Sequence, residues 1–334
     1  MGDFVQKEDT VLQPFFAALE RGFSETAEEY HICTETGGRK LTLCFPSRAL
    51  AKEAEQCFAL WRIPETPEPD ARLCFWSDDC SRYINQDPPS GRWRYREEGR
   101  WAIFAPDRWI IGADVPGRTF YYCKHDPERH AQMPYWLVSA LVSQWASTAG
   151  LLPVHGGAVG AEGKGVLLIA QGGGGKSTLA ASCLLSGMDY VADDYVLVSA
   201  EGPLRAMPLF STLKMNLDMK KALGLTLPVI WEDASRGGKQ LLDASSFPIC
   251  RDMAVRAVVF LSRWGREWPE ISPASGYPAV RLVQTALRAE GAHDPLAAKS
   301  VVQRLSGLPA YEMRLGSHLK QNADMLRTWI ERMK

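Results

Sequence analysis

Along the chain the spacing of apolar positions changes several times, and each change marks an element. Residues 11–29 (VLQPFFAALERGFSETAEE) repeat apolar side chains at helical spacing, whereas KLTLCF (40–45) and RLCFWS (72–77) alternate as strands do. Between those strands SRALAKEAEQCFALW reads as a helix. Four short runs follow, RWRYRE, WAIFAP, WIIGAD and TFYYCK, parted by Gly, Pro or Asp turns, and that rhythm predicts an antiparallel meander. PYWLVSALVSQWASTAG, from Pro134, is apolar on most sides yet contains Ser and Gln and is too short to span a bilayer, so it predicts a buried helix.

From about residue 132 the order is a helix, a strand carrying His155, the turn GAEGKG, the strand VLLIA, a glycine loop, a helix over 176–186 closed by Gly187, and a strand DYVADDYVLV. Strand, loop, helix and strand in that order predict an α/β core with a partly parallel sheet, its loop at carboxyl strand ends. Further on, LKMNLDMKKALGL suggests a short helix, WEDASRGGKQ a polar loop and AVRAVVFLSRW a strand. Residues 280–333 read as mainly helical, ending in NADMLRTWIERMK, whose Met, Leu, Trp and Ile share one face. The predicted organisation is a smaller α+β domain over 1–131, serving substrate recognition or dimerisation, and an α/β catalytic domain over 132–334 with a mixed sheet flanked by helices.

The chemistry concentrates in VLLIAQGGGGKST, residues 166–178. Glycines let the backbone turn its N–H groups onto a phosphate, and the following helix adds unpaired amides and its positive end. Gln171, Gly172, Gly173, Gly174, Gly175, Lys176, Ser177 and Thr178 are therefore the candidate nucleotide-binding residues, with Lys176 on the β/γ-phosphates and the Ser177 hydroxyl on Mg²⁺. The usual phosphate-loop pattern opens on glycine, and here that position is Ala170. Asp193-Asp194 lies in an otherwise apolar strand, where paired carboxylates are costly unless compensated by a metal. Strand alternation sends the two aspartates different ways, or places them where a strand ends. One then serves a metal and the other takes a proton from an incoming hydroxyl.

Composition narrows the partners. With 334 residues, 46% hydrophobic and 23% charged, the chain has an ordinary globular composition, and a net charge of −1 offers no field for nucleic acid or an anionic membrane. Eight cysteines without CxxC pairs, and no signal-type segment, predict reduced thiols and a cytoplasmic location. Seven of the eleven tryptophans fall between 61 and 145 and read as packing between sheet and helix, with a substrate-docking or dimer face as the alternative. The cluster of Arg263, Trp264, Arg266 and Trp268 reads as core-edge packing, with a docking surface as the alternative. Lys214, Lys239, Arg251 and Arg256 are candidates for phosphate or substrate contacts, with the RGGK turn at 236–239 as a loop that closes over a nucleotide.

The stretch PVHGGAVGAEGKGVLLIAQGGGGKSTLAASCLLSGMDYVADDYVLV resembles the catalytic core of the HPr kinase/phosphorylase family, through His155-Gly156, Gln171 to Ser177 and Ala192 to Asp194. The resemblance implies Lys176 on phosphate, Ser177 and Asp193 at Mg²⁺, Asp194 as proton acceptor and His155 assisting. The family's acidic residue leading into Arg-Gly-x-Gly has no counterpart, and PLFSTLKMNL stands in that region. The chain is thus more similar to divergent members, among them kinases that phosphorylate serine in ribosomally made precursor peptides such as lasso precursors. The expectation is an ATP- and Mg²⁺-dependent kinase acting on Ser or Thr of a peptide or protein. A small hydroxyl compound such as free serine, and a nucleotide-sensing module without catalysis, stand as alternatives, and a homo-oligomer is an open partner.

Overall fold

A computed structural model describes residues 12–26, 29–83, 93–105, 108–126, 128, 135–199, 201–233, 238–276 and 295–333. The described residues of Met1–Glu55 and Trp61–Thr148 form one compact unit, and those of Gln56–Leu60 and Ala149–Lys334 another. The division along the chain falls at 148/149 rather than 131/132, because the helix after Pro134 packs on strands of the first unit.

The first unit contains helix α1 (Leu12–Ser24), strands β1 (Tyr30–Thr36) and β2 (Arg39–Phe45), helix α2 (Arg48–Cys57), strands β3 (Ala71–Asp78), β4 (Trp93–Glu97), β5 (Arg100–Ala105), β6 (Trp109–Asp114) and β7 (Thr119–His125), and helix α3 (Tyr135–Thr148). Its seven strands run in the order β1-β2-β3-β7-β6-β5-β4. The expected meander is present as antiparallel β4 to β7, while β2, β3 and β7 are mutually parallel. Leu12, Phe15, Phe16, Leu19 and Phe23 of α1, at helical spacing, cover Cys74 and Trp76 of β3 and Tyr121 and Cys123 of β7, which alternate onto one sheet face. Helix α3 is buried along most of its length, Ser139, Ser143 and Gln144 included.

The second unit contains β8 (Leu151–His155), β9 (Gly157–Ala161), β10 (Lys164–Ile169), α4 (Lys176–Leu185), β11 (Asp189–Ala192), β12 (Tyr195–Ser199), β13 (Arg205–Pro208), β14 (Thr212–Asn216), α5 (Leu217–Ala222), β15 (Val229–Asp233), β16 (Lys239–Asp243), β17 (Met253–Arg263), β18 (Glu270–Pro273), α6 (Pro295–Ser306), β19 (Ala310–Leu315) and α7 (Leu319–Glu331). Its main sheet follows the path β11-β9-β10-β17-β13-β12-β8, with β19 on β17 and β18 on β19. Strands β10, β17 and β19 are parallel and the remaining pairs antiparallel. The sheet is mixed and flanked by helices, as predicted. Leu168 and Val259 face a cluster with Leu179, Ala180 and Cys183 of α4 and Leu326 of α7. Leu167, Val258 and Phe260 face the opposite side with Leu305 of α6. Burial on both faces explains why VLLI and AVVFL are unbroken apolar runs.

Three expectations change. DYVADDYVLV is not one strand, because its halves have different partners: β11 pairs with β9, and β12 with β13 and β8. Residues 280–333 are not mainly helical throughout. AYEMRL forms β19, whose Met313 and Leu315 alternate into the core beside β17, while 280–294 lie outside the described residues. Both ends of the stretch WEDASRGGKQ belong to β15 and β16, which join β14 in a separate antiparallel sheet. Residues 234–237 of it lie outside the described residues, and with them half of the expected closing turn at 236–239. Among the described residues no helix is long and apolar enough to cross a membrane.

Candidate active site

Strand β10 ends at Ile169, and the chain turns through Ala170–Gly175 into α4. Gly173 has φ of 80° and Gly175 φ of 99°, left-handed angles that glycine adopts without the penalty of a Cβ. Gly175 is the N-cap of α4, and no side chain caps the helix there. The first amides of α4 thus point into the loop, where roughly half a positive charge collects. Gln171, Gly172 and Gly173 are exposed; the Gln171 carbonyl accepts a hydrogen bond from the Gly174 amide at 3.0 Å. The Thr178 carbonyl accepts from the Ser182 hydroxyl at 2.8 Å, within the helix.

The departure at Ala170 is absorbed locally. A methyl group added to Gly174 would lie 2.7 Å from the Ala170 Cβ, so the glycine at 174 makes the space that the extra carbon at 170 fills. Lys176 is buried and its ammonium donates to the Ala170 carbonyl at 2.8 Å. Burial pushes that lysine's pKa down, against the pull of Asp194 and Asp193.

Asp193 and Asp194 occupy the bend where the chain leaves β9's edge for β8's, between β11 and β12. The second of the two placements that alternation allowed is the one observed. Asp193 is 2% exposed. It accepts hydrogen bonds from the Tyr190 hydroxyl at 3.3 Å and the Lys214 amide at 3.1 Å, and the nearby Ser177 side chain also favours its ionised form. Burial, reinforced by the neighbouring Asp194 charge, pushes its pKa up to about 7. Asp194 faces the other way: Lys214 Nζ is 3.0 Å from Oδ2, and His155 Nδ1 is 3.5 Å from Oδ1.

His155 reaches Asp194 because β8 and β12 pair with His155 opposite Tyr195, and the Gly156 amide donates to the Asp194 carbonyl at 3.1 Å. The Tyr195 ring stands edge-on to the imidazole, with centroids 5.7 Å apart. Burial lowers the His155 pKa; Asp194 opposes this, and Lys176, Lys214 and Lys239 add to it. Lys239 acts electrostatically on both His155 and Lys176. It sits opposite Asn216 in the β14–β16 pairing, two positions from Lys214, so both lysines share a sheet face.

The structure therefore brings together His155, Lys176, Ser177, Asp193, Asp194, Lys214 and Lys239. It does not bring Arg251. That residue precedes β17, whereas the glycine loop lies at the level of Phe260, nine residues on, or roughly 30 Å along an extended strand. Arg256, exposed on the first half of β17, is likewise far down the sheet. Tyr190 was not among the candidates. A tyrosine three residues before a buried aspartate is the available signal, and its hydroxyl also reaches the Thr212 carbonyl at 3.2 Å.

The donors fit the groups the sequence implies. Ser177 is close enough to Asp193 to lower its pKa, and both residues offer hard oxygens, the ligand type Mg²⁺ takes. Lys176, Lys214 and Lys239 act electrostatically on one another or on His155, and with the helix N-terminus they face two carboxylates, a balance suited to a polyphosphate.

No protein-family model matches the chain, and no curated protein matches it. Among solved structures it is similar to the Hpr(Ser) kinase/phosphatase from Coxiella burnetii, with 14% identity, 54% of this chain and 88% of that chain covered, and a TM-score of 0.27.

Proposed function

We propose that this chain is an ATP- and Mg²⁺-dependent phosphotransferase that passes the γ-phosphoryl group to an alcohol, the hydroxyl of serine or threonine in a peptide or protein. The observation that carries this reading is the division of labour between adjacent carboxylates: Asp193 is buried beside Ser177, and Asp194 is held between Lys214 and His155. Nucleotide binding alone requires no such pair.

In this reading the amides of residues 172–176 and the Lys176 ammonium cradle the phosphates, with Lys176 turning from the Ala170 carbonyl to reach them. Ser177 and Asp193 hold Mg²⁺, which when bound offsets charge on the transferred group. Asp194 accepts the proton of the acceptor hydroxyl. Lys214 and His155 fix the rotamer of that carboxylate, and Lys214 and Lys239 add positive charge where the phosphoryl oxygens gather it.

The test is label transfer from γ-labelled ATP to serine- and threonine-containing peptides, and in parallel to free serine and polyols. Asp194→Asn should cut transfer by about 100-fold or more, the range a general base contributes, with ATP affinity changed only a few-fold. Tight ATP binding without transfer to any acceptor, or an undiminished rate in the Asp194→Asn protein, would sink the proposal.

A further inference from the structure

The parallel strands β10, β17 and β19 end on one edge, and the segments that follow them crowd the start of α4. Gly175 is the point of contact: a methyl group there would lie 2.4 Å from Leu315 Cδ1 and 4.0 Å from Arg263 Nε. Leu315 and Arg263 are themselves partners at the ends of β19 and β17. A methyl group on the next residue, Gly316, would lie 2.3 Å from the Glu267 carbonyl oxygen and 2.8 Å from the Trp268 carbonyl carbon. The Ser317 amide donates to the carbonyls of Arg266 at 3.0 Å and Glu267 at 3.1 Å. A short chain of contacts, Gly175 to Leu315 to Gly316 to the Glu267–Trp268 backbone, thus links Trp268 to the end of the glycine loop.

Trp268 was expected in core-edge packing, but it is 57% exposed, more than any other large exposed hydrophobic residue among those described. His318 flanks its ring, with centroids 6.0 Å apart, and pairs with Glu267 at 3.1 Å. Trp264, by contrast, is covered by guanidinium groups, Arg266 at 4.5 Å and Arg314 at 5.3 Å from its centroid. One bare indole at the carboxyl ends of parallel strands lies where ligands of open α/β sheets bind. It is too little apolar surface for a protein partner, which needs on the order of 800 Å² per side. It does suit a flat heteroaromatic ring, since any nucleobase offers a π-face to stack.

We propose that Trp268 is the stacking platform for the purine base of the nucleotide whose phosphates the glycine loop holds. The proposal rests on the nucleotide-binding reading above, and it places the base on the β17–β19 side of the loop, away from Asp194 and the acceptor.

Calorimetry with Mg·ATP and with Mg·tripolyphosphate, which has the phosphates but no base, separates the two ideas. Trp268→Ala should weaken ATP binding about 5- to 150-fold, the range for loss of one base–aromatic stack, and leave tripolyphosphate affinity within about twofold. Trp268→Phe should recover most of the ATP affinity. If wild type binds neither ligand, the nucleotide reading fails. If wild type binds both and Trp268→Ala weakens both equally or neither, the stacking platform is wrong while the loop reading stands. A change of oligomeric state in Trp268→Ala with unaltered ATP affinity would likewise overturn it and assign the ring to an interface between copies.

Discussion

Replacing Asp193 with asparagine should make the metal-free protein more stable, and by an amount that depends on pH. The pKa of Asp193 rises from an ordinary 3.8 to about 7 because the carboxylate is buried and Asp194 lies beside it. At roughly 1.4 kcal/mol for each pH unit, its ionised form is about 4 kcal/mol harder to hold in the fold than in an open chain. Asparagine removes that charge without stranding its partners. Its carbonyl still accepts from the Lys214 amide, and its NH₂ donates to Tyr190, whose hydroxyl keeps the Thr212 carbonyl as acceptor. The sign follows from proton linkage. Between about pH 4 and 7 the unfolded chain has released this proton and the folded chain has kept it, so wild-type stability falls as pH rises through that window and levels off above about 7.

The measurement is thermal or denaturant unfolding of both proteins in chelator at pH 4, 6 and 8. The advantage of Asp193→Asn should grow from near zero at pH 4 to about 2–4 kcal/mol at pH 8, roughly 5 to 15 °C in Tm for a unit of this size. His155 and Lys176, whose pKa values burial lowers, tilt wild-type stability the other way. To first order the difference between the two proteins cancels them. An advantage that does not vary with pH, or a less stable variant at pH 8, would refute the reasoning. In the proposed kinase reading the same substitution should weaken Mg²⁺-dependent ATP binding, because it removes the charge assigned there to the cation.

Two further predictions follow from the loop and its surroundings. Gly174→Ala should destabilise the protein by about 1–3 kcal/mol, the usual cost of overpacking, because its methyl meets the Ala170 Cβ at 2.7 Å. The double variant Ala170→Gly/Gly174→Ala should recover part of that loss in urea denaturation, and strictly additive effects would show that the two residues do not share the space. Arg251→Ala should leave ATP affinity within about twofold in the same calorimetric assay, since Arg251 lies at the far end of β17. A tenfold loss would contradict that placement.

The residues legible in the sequence are those whose neighbours in space are also neighbours in the chain. Strand β10, its loop and α4 form one uninterrupted stretch, and glycine, lysine and serine occur there for reasons that act within a turn or two. The two aspartates are similarly local to α4. Where the reading faltered, a pairing partner was distant. DYVADDYVLV has the apolar content of a single strand, and only the competing edges of β9 and β8 break it at Asp193. AYEMRL is too short to stand out between two helices, yet β17 leaves a parallel edge that it fills.

The basic residues make the same point more sharply. Lys214, Lys239 and Arg251 look alike as isolated charges in loops and strand ends, and no local rule ranks them. Antiparallel pairing of β14 with β16 puts the first two on one face and aims them at Asp194 and His155. The parallel run of β17 from Met253 to Arg263 carries Arg251 to the opposite end of the sheet from Gly175 and brings Arg263 up against it. Strand direction therefore decides which cations can meet a phosphate. Trp268 belongs to the same logic, because its place depends on β19 running parallel to β17 so that Leu315 ends against Gly175 and Gly316 against the Glu267–Trp268 backbone. In sequence it is one more tryptophan between arginines; in the fold it is an exposed ring between the carboxyl end of β17 and the start of β18.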